Sequence, residues 1–222
     1  MSTLLINGCS YTTNWTPLDQ KLGYKLGHKE VVNLSIPGSS NDSIIRRTIN
    51  YILEHKVDMA FVSLTFWERQ EAPWAVQGTW TDYHPNGILR PDEVIDEKIY
   101  QQYINSRFKY DLDNRYVEKL LDDVILLSGW LTSSGIKHLI FSSPHSFKLS
   151  VTEYNLLKNK LEYIRSNASI IDLEHWSANQ YMHDQGGKWH EFDSNVAPDI
   201  RHYTSKSYTI LNKFIIDYLN YD

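Results

Sequence analysis

The chain has 222 residues, of which 41% are hydrophobic and 22% are charged, and its formal net charge is −5. These values exclude a disordered or fibrous protein and indicate a globular one with a full hydrophobic core. The negative net charge offers no overall attraction to nucleic acid or to an anionic membrane.

The first residues and the cysteine content indicate in which cellular compartment the protein is expected. The start, Met1-Ser2-Thr3, lacks the basic residues of a signal peptide, and no run approaches the roughly 20 apolar residues that span a bilayer. Cys9 is the single cysteine, which excludes an intrachain disulfide. We therefore expect a cytoplasmic protein that does not cross a membrane.

The first part of the chain alternates short apolar runs with one amphipathic segment. Residues 3–6 predict a buried strand and residues 31–34 a second short strand, each followed by a turn that contains glycine. Apolar residues then recur at helical spacing through about His55, and the polar residues at 40–42 are candidate N-caps. Residues 59–64 form a continuous apolar run, which is typical of a parallel strand covered on both faces.

The later part continues this alternation. Residues 116–133 carry apolar side chains at positions i, i+3, i+4 and i+7, which predicts the longest helix. Residues 137–142 predict a fourth strand, 152–165 a helix, 170–173 a fifth strand and 204–219 a terminal helix. This order predicts a flavodoxin-like three-layer α/β/α sandwich with about five parallel strands.

Two segments interrupt the alternation. Residues at about 70–114 are polar and rich in aromatic side chains, and residues at about 175–201 form a connection rich in Gly, Asp and His. Neither has the composition of a linker, so we expect one domain over residues 1–222 with an aromatic-rich insert. Segments this long are more often binding elements than spacers. The aromatic side chains favour a carbohydrate-like substrate, and ordinary loop packing is the alternative.

Two polar motifs carry the chemistry of a nucleophilic enzyme. Gly-Cys-Ser-Tyr-Thr at 8–12 follows the first strand, and Asp-Ile-Arg-His at 199–202 precedes the terminal helix. A serine hydroxyl becomes a good nucleophile when an imidazole takes its proton and a carboxylate holds the imidazole. We therefore predict a catalytic triad of Ser10, His202 and Asp199.

These motifs resemble the signature blocks of the SGNH hydrolases, also called GDSL hydrolases. Residues 8–12 resemble the first block, whose serine is the nucleophile, and residues 199–202 match the last block, Asp-x-x-His. Residues 33–41 resemble the second block, whose glycine, here Gly38, donates its N–H to the oxyanion hole. The resemblance implies the SGNH fold and an oxyanion hole formed by the N–H groups of Ser10 and Gly38, with no metal and no cofactor.

The third block departs from the family pattern. The family has Gly-x-Asn-Asp there and its asparagine is an oxyanion donor, whereas this chain has Leu-Thr-Phe-Trp-Glu-Arg at 64–69. Thr65, Trp67 and Arg69 each carry a donor that could replace the asparagine, and Asn41 is a further candidate for substrate binding. Arg69 would also suit an anionic substrate.

Each of these residues also has a structural interpretation. Ser10 could cap a helix, Asp199 could cap a helix or form a turn, and His202 could be a surface histidine. Cys9 stands where the family usually has aspartate, and we expect a small buried residue, with a nucleophilic role as the alternative. The His and Asp residues at 183–193 do not have the spacing of a known metal site.

The motifs together predict a serine esterase or deacetylase that acts on a small-molecule ester or an O-acetylated carbohydrate. Two alternatives stay open: an acyltransferase with the same triad, and an inactive binding protein with the SGNH fold. The compact motifs also resemble SGNH-type proteins of tailed bacteriophages, in which case the compartment would be the host-cell cytoplasm. We expect neither nucleic acid nor a membrane as a partner, and the oligomeric state is left open.

Overall fold

The structure is a computed structural model. It describes residues 2–13, 15, 17–66, 69–74, 79–83, 113–144, 146, 149, 151–190 and 202–220. Two of the candidate site residues, Trp67 and Asp199, lie outside these ranges.

A four-stranded parallel sheet forms the centre of the fold. The strands in chain order are β1 (Thr3–Asn7), β2 (Glu30–Asn33), β3 (Met59–Leu64), β4 (Gln70–Trp74), β5 (Thr79–Tyr83) and β6 (Lys137–Ser142). Strands β2, β1, β3 and β6 pair in that order and run parallel, whereas β4 and β5 form a separate antiparallel pair. The strand order therefore reverses at β1, and in such sheets ligands bind beyond the carboxyl ends of the strands at that point.

The described helices connect and cover these strands. They are α1 (Ser10–Thr13), α2 (Leu18–Lys25), α3 (Asn41–Glu54), α4 (Asp113–Ser133), α5 (Val151–Ser166), α6 (Ala178–Asp184) and α7 (Tyr208–Asn220), with a 3₁₀ turn at Ser205–Ser207. Ser40 is the N-cap of α3, because its side chain accepts a hydrogen bond from the Ser43 N–H at 3.2 Å. None of the described helices is long and apolar enough to cross a bilayer.

Alternate side chains of the sheet build two hydrophobic cores, one on each face. Leu5, Val62 and Ile140 pack on the face covered by α3, α4 and α5. Ile6 and Phe61 point to the opposite face, where α2 and α7 cover them. Two covered faces explain the continuous apolar runs of the strands. The predicted three-layer α/β/α sandwich is thus confirmed.

The predicted fifth strand is wrong as a full strand. Only Ile170 forms a parallel bridge, to Ile140 of β6, with the Ile171 N–H donating to the Ile140 carbonyl at 2.9 Å. The Asp172 carboxylate then accepts the N–H groups of Glu174 and His175, at 3.0 and 3.3 Å. This turn ends the extended segment after one bridge, so the sheet has four strands among the described residues, where about five were expected.

Several elements of the structure were not predicted from the sequence. The connection at about 175–201 contains α6, and the insert at about 70–114 contains the β4–β5 pair. Helix α2 was also missed, because it buries few apolar side chains and includes Gly23. That glycine is required by packing, since a Cβ there would lie 2.1 Å from a methyl carbon of Val31.

Candidate active site

Ser10 and His202 meet beyond the carboxyl end of β1. Ser10 is the first residue of α1, and its hydroxyl lies 3.0 Å from Nε2 of His202, within hydrogen-bond distance, although 192 positions separate the two residues. His202 belongs to an extended segment that pairs with the 189–190 segment, because its carbonyl accepts the His190 N–H at 3.0 Å. The first and last motifs are thus brought together.

A tight turn places Ser10 at this position. The Gly8 N–H donates to Oδ1 of Asn7 at 2.9 Å, and the Cys9 carbonyl accepts the N–H groups of Thr12 and Thr13, both at 3.0 Å. A Cβ at Gly8 would lie 2.1 Å from Oγ1 of Thr12, so the turn requires glycine at this position. Cys9 is fully buried, as expected for a small core residue.

The side chain of Tyr11 covers the imidazole of His202. The two rings are parallel within 2°, and their centroids are 4.6 Å apart. The Tyr11 ring also meets the Phe66 ring in an edge arrangement, with the centroids 6.0 Å apart. The Tyr208 hydroxyl donates to the Tyr11 carbonyl, and burial raises the pKa of Tyr208 well above its ordinary value, which keeps this donor protonated.

The second motif forms the turn between β2 and α3. Gly38 has φ = +81°, in the left-handed region that favours glycine, and its N–H donates to none of the described groups. Arg47 ties this turn to the first motif, because its guanidinium donates to Oγ of Ser39 at 2.9 Å and lies 3.5 Å from the Gly8 carbonyl. The Gly38 N–H and the Ser10 turn therefore lie on neighbouring loops, which Arg47 connects.

The Asn41 side chain holds the loop that follows β3. Its Oδ1 accepts the Thr65 N–H at 2.8 Å, and its Nδ2 donates to the carbonyls of Thr65 and Phe66 at 3.2 and 3.3 Å. Only 5% of the Asn41 surface is exposed, so the amide is enclosed between α3 and the loop. Asn41 therefore positions the loop through its backbone.

Thr65 and Arg69, the two described candidates for the missing donor, differ in their surroundings. Thr65 is fully buried, and its hydroxyl has no hydrogen-bond partner among the described residues. The Arg69 guanidinium lies over the ring of Phe66, 4.9 Å from its centroid. The Phe66 ring thus contacts both Tyr11 and Arg69. Trp67 and Asp199 stay predictions, because both lie outside the described ranges.

One group of described side chains has the geometry to share a metal ion. Ligand atoms of Asp172, Glu174 and His175 lie within 4.8 Å of one another. They are already engaged, because His175 Nδ1 lies 2.9 Å from the Asp172 carboxylate and Arg165 forms an ion pair with Glu174. The group follows the Ile170 bridge at the edge of the sheet, with β6 and β3 between it and β1. It is no part of the Ser10 site.

The sequence interpretation missed the stacking of Tyr11 on His202 and the contact of Phe66 with Tyr11. Tyr11 lies within the first motif and Phe66 within the third, so both residues belong to segments that the sequence analysis had already selected. The available signal was an aromatic residue directly after the candidate nucleophile. The residue on which Tyr11 stacks, His202, lies far away in the sequence, so spacing along the chain could not identify it.

Comparison with known proteins identifies the fold. No protein-family model matches the sequence, and no curated protein is significantly similar to it. The psychrotrophic esterase EstA from Pseudoalteromonas sp. superimposes with a TM-score of 0.51 at 11% identity, over 99% of this chain and 97% of that chain.

Two further solved structures are similar to this chain over nearly its whole length. A Desulfitobacterium hafniense protein described as lipolytic and of the G-D-S-L family gives a TM-score of 0.51 at 9% identity, covering 98% of this chain and 99% of that chain. TesA gives 0.52 at 14% identity, covering 98% of both chains. The chain therefore has the fold of the SGNH, or GDSL, hydrolases.

Proposed function

We propose that the protein is a serine hydrolase that cleaves esters, with Ser10 as nucleophile, His202 as base and Asp199 as the carboxylate that orients the base. The observation that carries this proposal is the 3.0 Å contact between the Ser10 hydroxyl and His202 Nε2 at the carboxyl end of β1. A hydrogen bond between nucleophile and base is the required geometry for activating serine. The fold shared with an esterase supports the same assignment.

The reaction follows from this contact. The Ser10 oxygen attacks the ester carbonyl while His202 Nε2 accepts the hydroxyl proton, and the carbonyl electron pair moves to the oxygen. When the tetrahedral adduct collapses, the alcohol leaves with the proton returned by His202. Water then attacks the acyl-enzyme, with His202 again acting as base, and releases the acid and free Ser10.

The developing oxyanion needs donors in fixed positions. We assign this role to the N–H groups of Ser10 and Gly38, neither of which donates to a described group. Thr65 is the candidate third donor, since its buried hydroxyl has no partner among the described residues. Removal of one such donor from a hydrolase typically lowers kcat by about 10²–10³.

The proposed substrate is a small-molecule or carbohydrate ester. A groove of about 770 Å³ borders the segment that carries His202, and its lining includes Lys188, Trp189, His190 and Ser205. An aromatic face combined with several polar groups suits a sugar, which presents both C–H faces and hydroxyls. Neither Ser10 nor His202 lines this groove, so a sugar bound in it would be a part of the substrate away from the ester bond.

The proposal is tested by labelling with a fluorophosphonate probe, which reacts with activated serines. We expect labelling of wild type at Ser10, located by mass spectrometry, and no labelling of Ser10→Ala. We also expect Ser10→Ala to lower kcat for p-nitrophenyl acetate by about 10³-fold or more. Ser134→Ala, which changes an exposed serine after α4, is the matched control and retains both signals.

The outcomes separate the alternatives. A folded wild-type protein without labelling or turnover would contradict the proposal and favour an inactive binding protein. Labelling at Ser10 with product transfer to an added sugar alcohol in preference to water would indicate an acyltransferase. Asp199→Asn would lower kcat by about 10⁴ if Asp199 orients the base, and an unchanged kcat would exclude it from that role.

A further inference from the structure

The imidazole of His202 has an aromatic ring laid flat against one face. Tyr11 lies parallel to it within 2° at a centroid distance of 4.6 Å. At the same time Nε2, at the ring edge, lies 3.0 Å from the Ser10 hydroxyl. The stacking contact therefore leaves the reactive edge of the imidazole free to meet the nucleophile.

Tyr11 is itself held on several sides. Only 2% of its surface is exposed, and its ring meets the edge of Phe66, with the centroids 6.0 Å apart at an angle of 63°. Its carbonyl accepts the buried hydroxyl of Tyr208. Phe66 is fixed in turn by Asn41, whose Nδ2 donates to the Phe66 carbonyl at 3.3 Å. The Tyr11 ring is thus buried, and its neighbours are themselves held by hydrogen bonds and ring contacts.

We propose that Tyr11 is a positioning residue for the base, because its ring sets the plane of the His202 imidazole and keeps Nε2 directed at Ser10. The inference rests on the proposed hydrolase function. Free rotation of the imidazole about its Cβ–Cγ bond would swing Nε2 away from Ser10, and a flat neighbour at van der Waals distance opposes that rotation. Loss of such orientation can cost about 10²-fold in rate.

The stack also suits the charge that the base acquires. When His202 accepts the Ser10 proton it becomes a cation, and the face of an aromatic ring attracts a cation. This attraction requires the ring face but not the phenol hydroxyl. Phenylalanine at position 11 should therefore support the base, whereas leucine, which fills similar space without a flat face, should not.

The loop after β3 acquires a role through this contact. In the SGNH pattern that loop supplies an asparagine donor, whereas here it supplies Phe66 at the edge of Tyr11. The loop thus supports the base indirectly, through Phe66 and Tyr11. It follows that a change at Phe66 should weaken the orientation of His202 without altering any group that touches substrate.

The experiment compares Tyr11→Phe and Tyr11→Leu in the full-length protein. We expect Tyr11→Phe to label with the fluorophosphonate within about twofold of the wild-type rate, and Tyr11→Leu to label about 10-fold or more slowly. The lower kcat of Tyr11→Leu for p-nitrophenyl acetate should come with a nearly unchanged KM. Phe66→Leu, which leaves Tyr11 in place, should give an intermediate rate, and it provides a second test if Tyr11→Leu does not fold.

The chain offers a matched control for removal of a stacked tyrosine. Tyr51 stacks on His55 with centroids 4.1 Å apart and an interplanar angle of 8°, near the carboxyl end of α3. Because α3 begins beside the candidate site, its carboxyl end lies near the amino ends of the strands, away from Ser10. Tyr51→Leu should therefore leave labelling and turnover at wild-type values.

Proton NMR of His202 tests whether the stack is present in solution, while the change in kcat at constant KM and the wild-type rate of Tyr11→Phe separate a positioning role from a structural one. A ring stacked on the imidazole shields its carbon-bound protons, so their resonances should move downfield in Tyr11→Leu and stay in place in Tyr11→Phe. Equal labelling rates and kcat in Tyr11→Leu and wild type would overturn the inference while the proposed function stands. Absence of labelling in wild type would instead reject the proposed function, and the inference with it.

Discussion

At the residue scale, two buried asparagines hold the loops of the candidate site. Asn7 donates through Nδ2 to the Ile44 carbonyl at 2.8 Å and accepts the Gly8 N–H at 2.9 Å. Asn41 binds both the N–H and the carbonyl of Thr65. An amide serves both places because it donates and accepts from one planar group. The two side chains thus join the ends of β1 and β3 to α3.

Asn41→Asp tests this role with a nearly isosteric change. The carboxylate keeps the acceptor for the Thr65 N–H but faces the carbonyls of Thr65 and Phe66 without a proton to donate. We expect the free energy of unfolding, measured by urea denaturation, to fall by about 2–3 kcal/mol. The control is Asn50→Asp, an exposed change on the same helix, and equal losses in the two variants would contradict the role assigned to Asn41.

At the scale of elements, short helices fix the chain around the carboxyl ends of the strands. Helix α6 is such an element, because the Asn179 N–H donates at 3.0 Å to the carbonyl of Ser143, directly after β6. Ser177 caps this helix by accepting the Gln180 N–H at 3.2 Å. A helix of seven residues gains little from its own backbone, so its cap and its tertiary contacts matter more.

Ser177→Ala should therefore destabilise the protein by about 1 kcal/mol, since it leaves the Gln180 N–H without its acceptor. The loss would appear as a lower midpoint of urea denaturation. Ser134→Ala changes an exposed serine whose side chain caps no helix, and it should leave the midpoint unchanged. A midpoint equal to that of wild type in Ser177→Ala would show that solvent replaces the cap.

At the scale of the whole molecule, one sheet lies between two cores, so the cores share the same strands. On β1, Leu5 belongs to one core and Ile6 to the other. Loss of either core exposes a face of the same sheet. We therefore predict that the chain unfolds as one cooperative unit, in agreement with the expectation of a single domain.

Truncation of one leucine in each core tests this prediction. Leu121→Ala removes a buried side chain from the α4 side and Leu211→Ala one from the α7 side, and each should cost about 2–5 kcal/mol. Leu126→Ala, on the exposed face of α4 at 69% exposure, should change stability by less than about 0.5 kcal/mol. Far-UV circular dichroism should show one transition in every variant, and two transitions in Leu211→Ala would argue for separately folding parts.

Features that depend on neighbouring residues were determined by the sequence alone. The apolar runs of β1, β3 and β6 and the helical periodicity of α4 are local patterns, and all four elements were predicted close to their observed bounds. The turn at Gly8 was also predicted, because it too depends only on neighbouring residues. The order of the motifs along the chain also named Ser10 and His202 before any geometry was known.

The tertiary structure decided what depends on residues far apart. The segment at 170–171 has strand composition, but the turn at Asp172 limits it to one bridge. Helix α6 is too short for a periodic pattern and is held by Ser143 of another segment. The stacking of Tyr11 on His202 joins positions 191 apart in the chain, and no local pattern encodes it. Spacing along the chain names candidate residues, whereas packing of the loops beyond the sheet decides which of them touch.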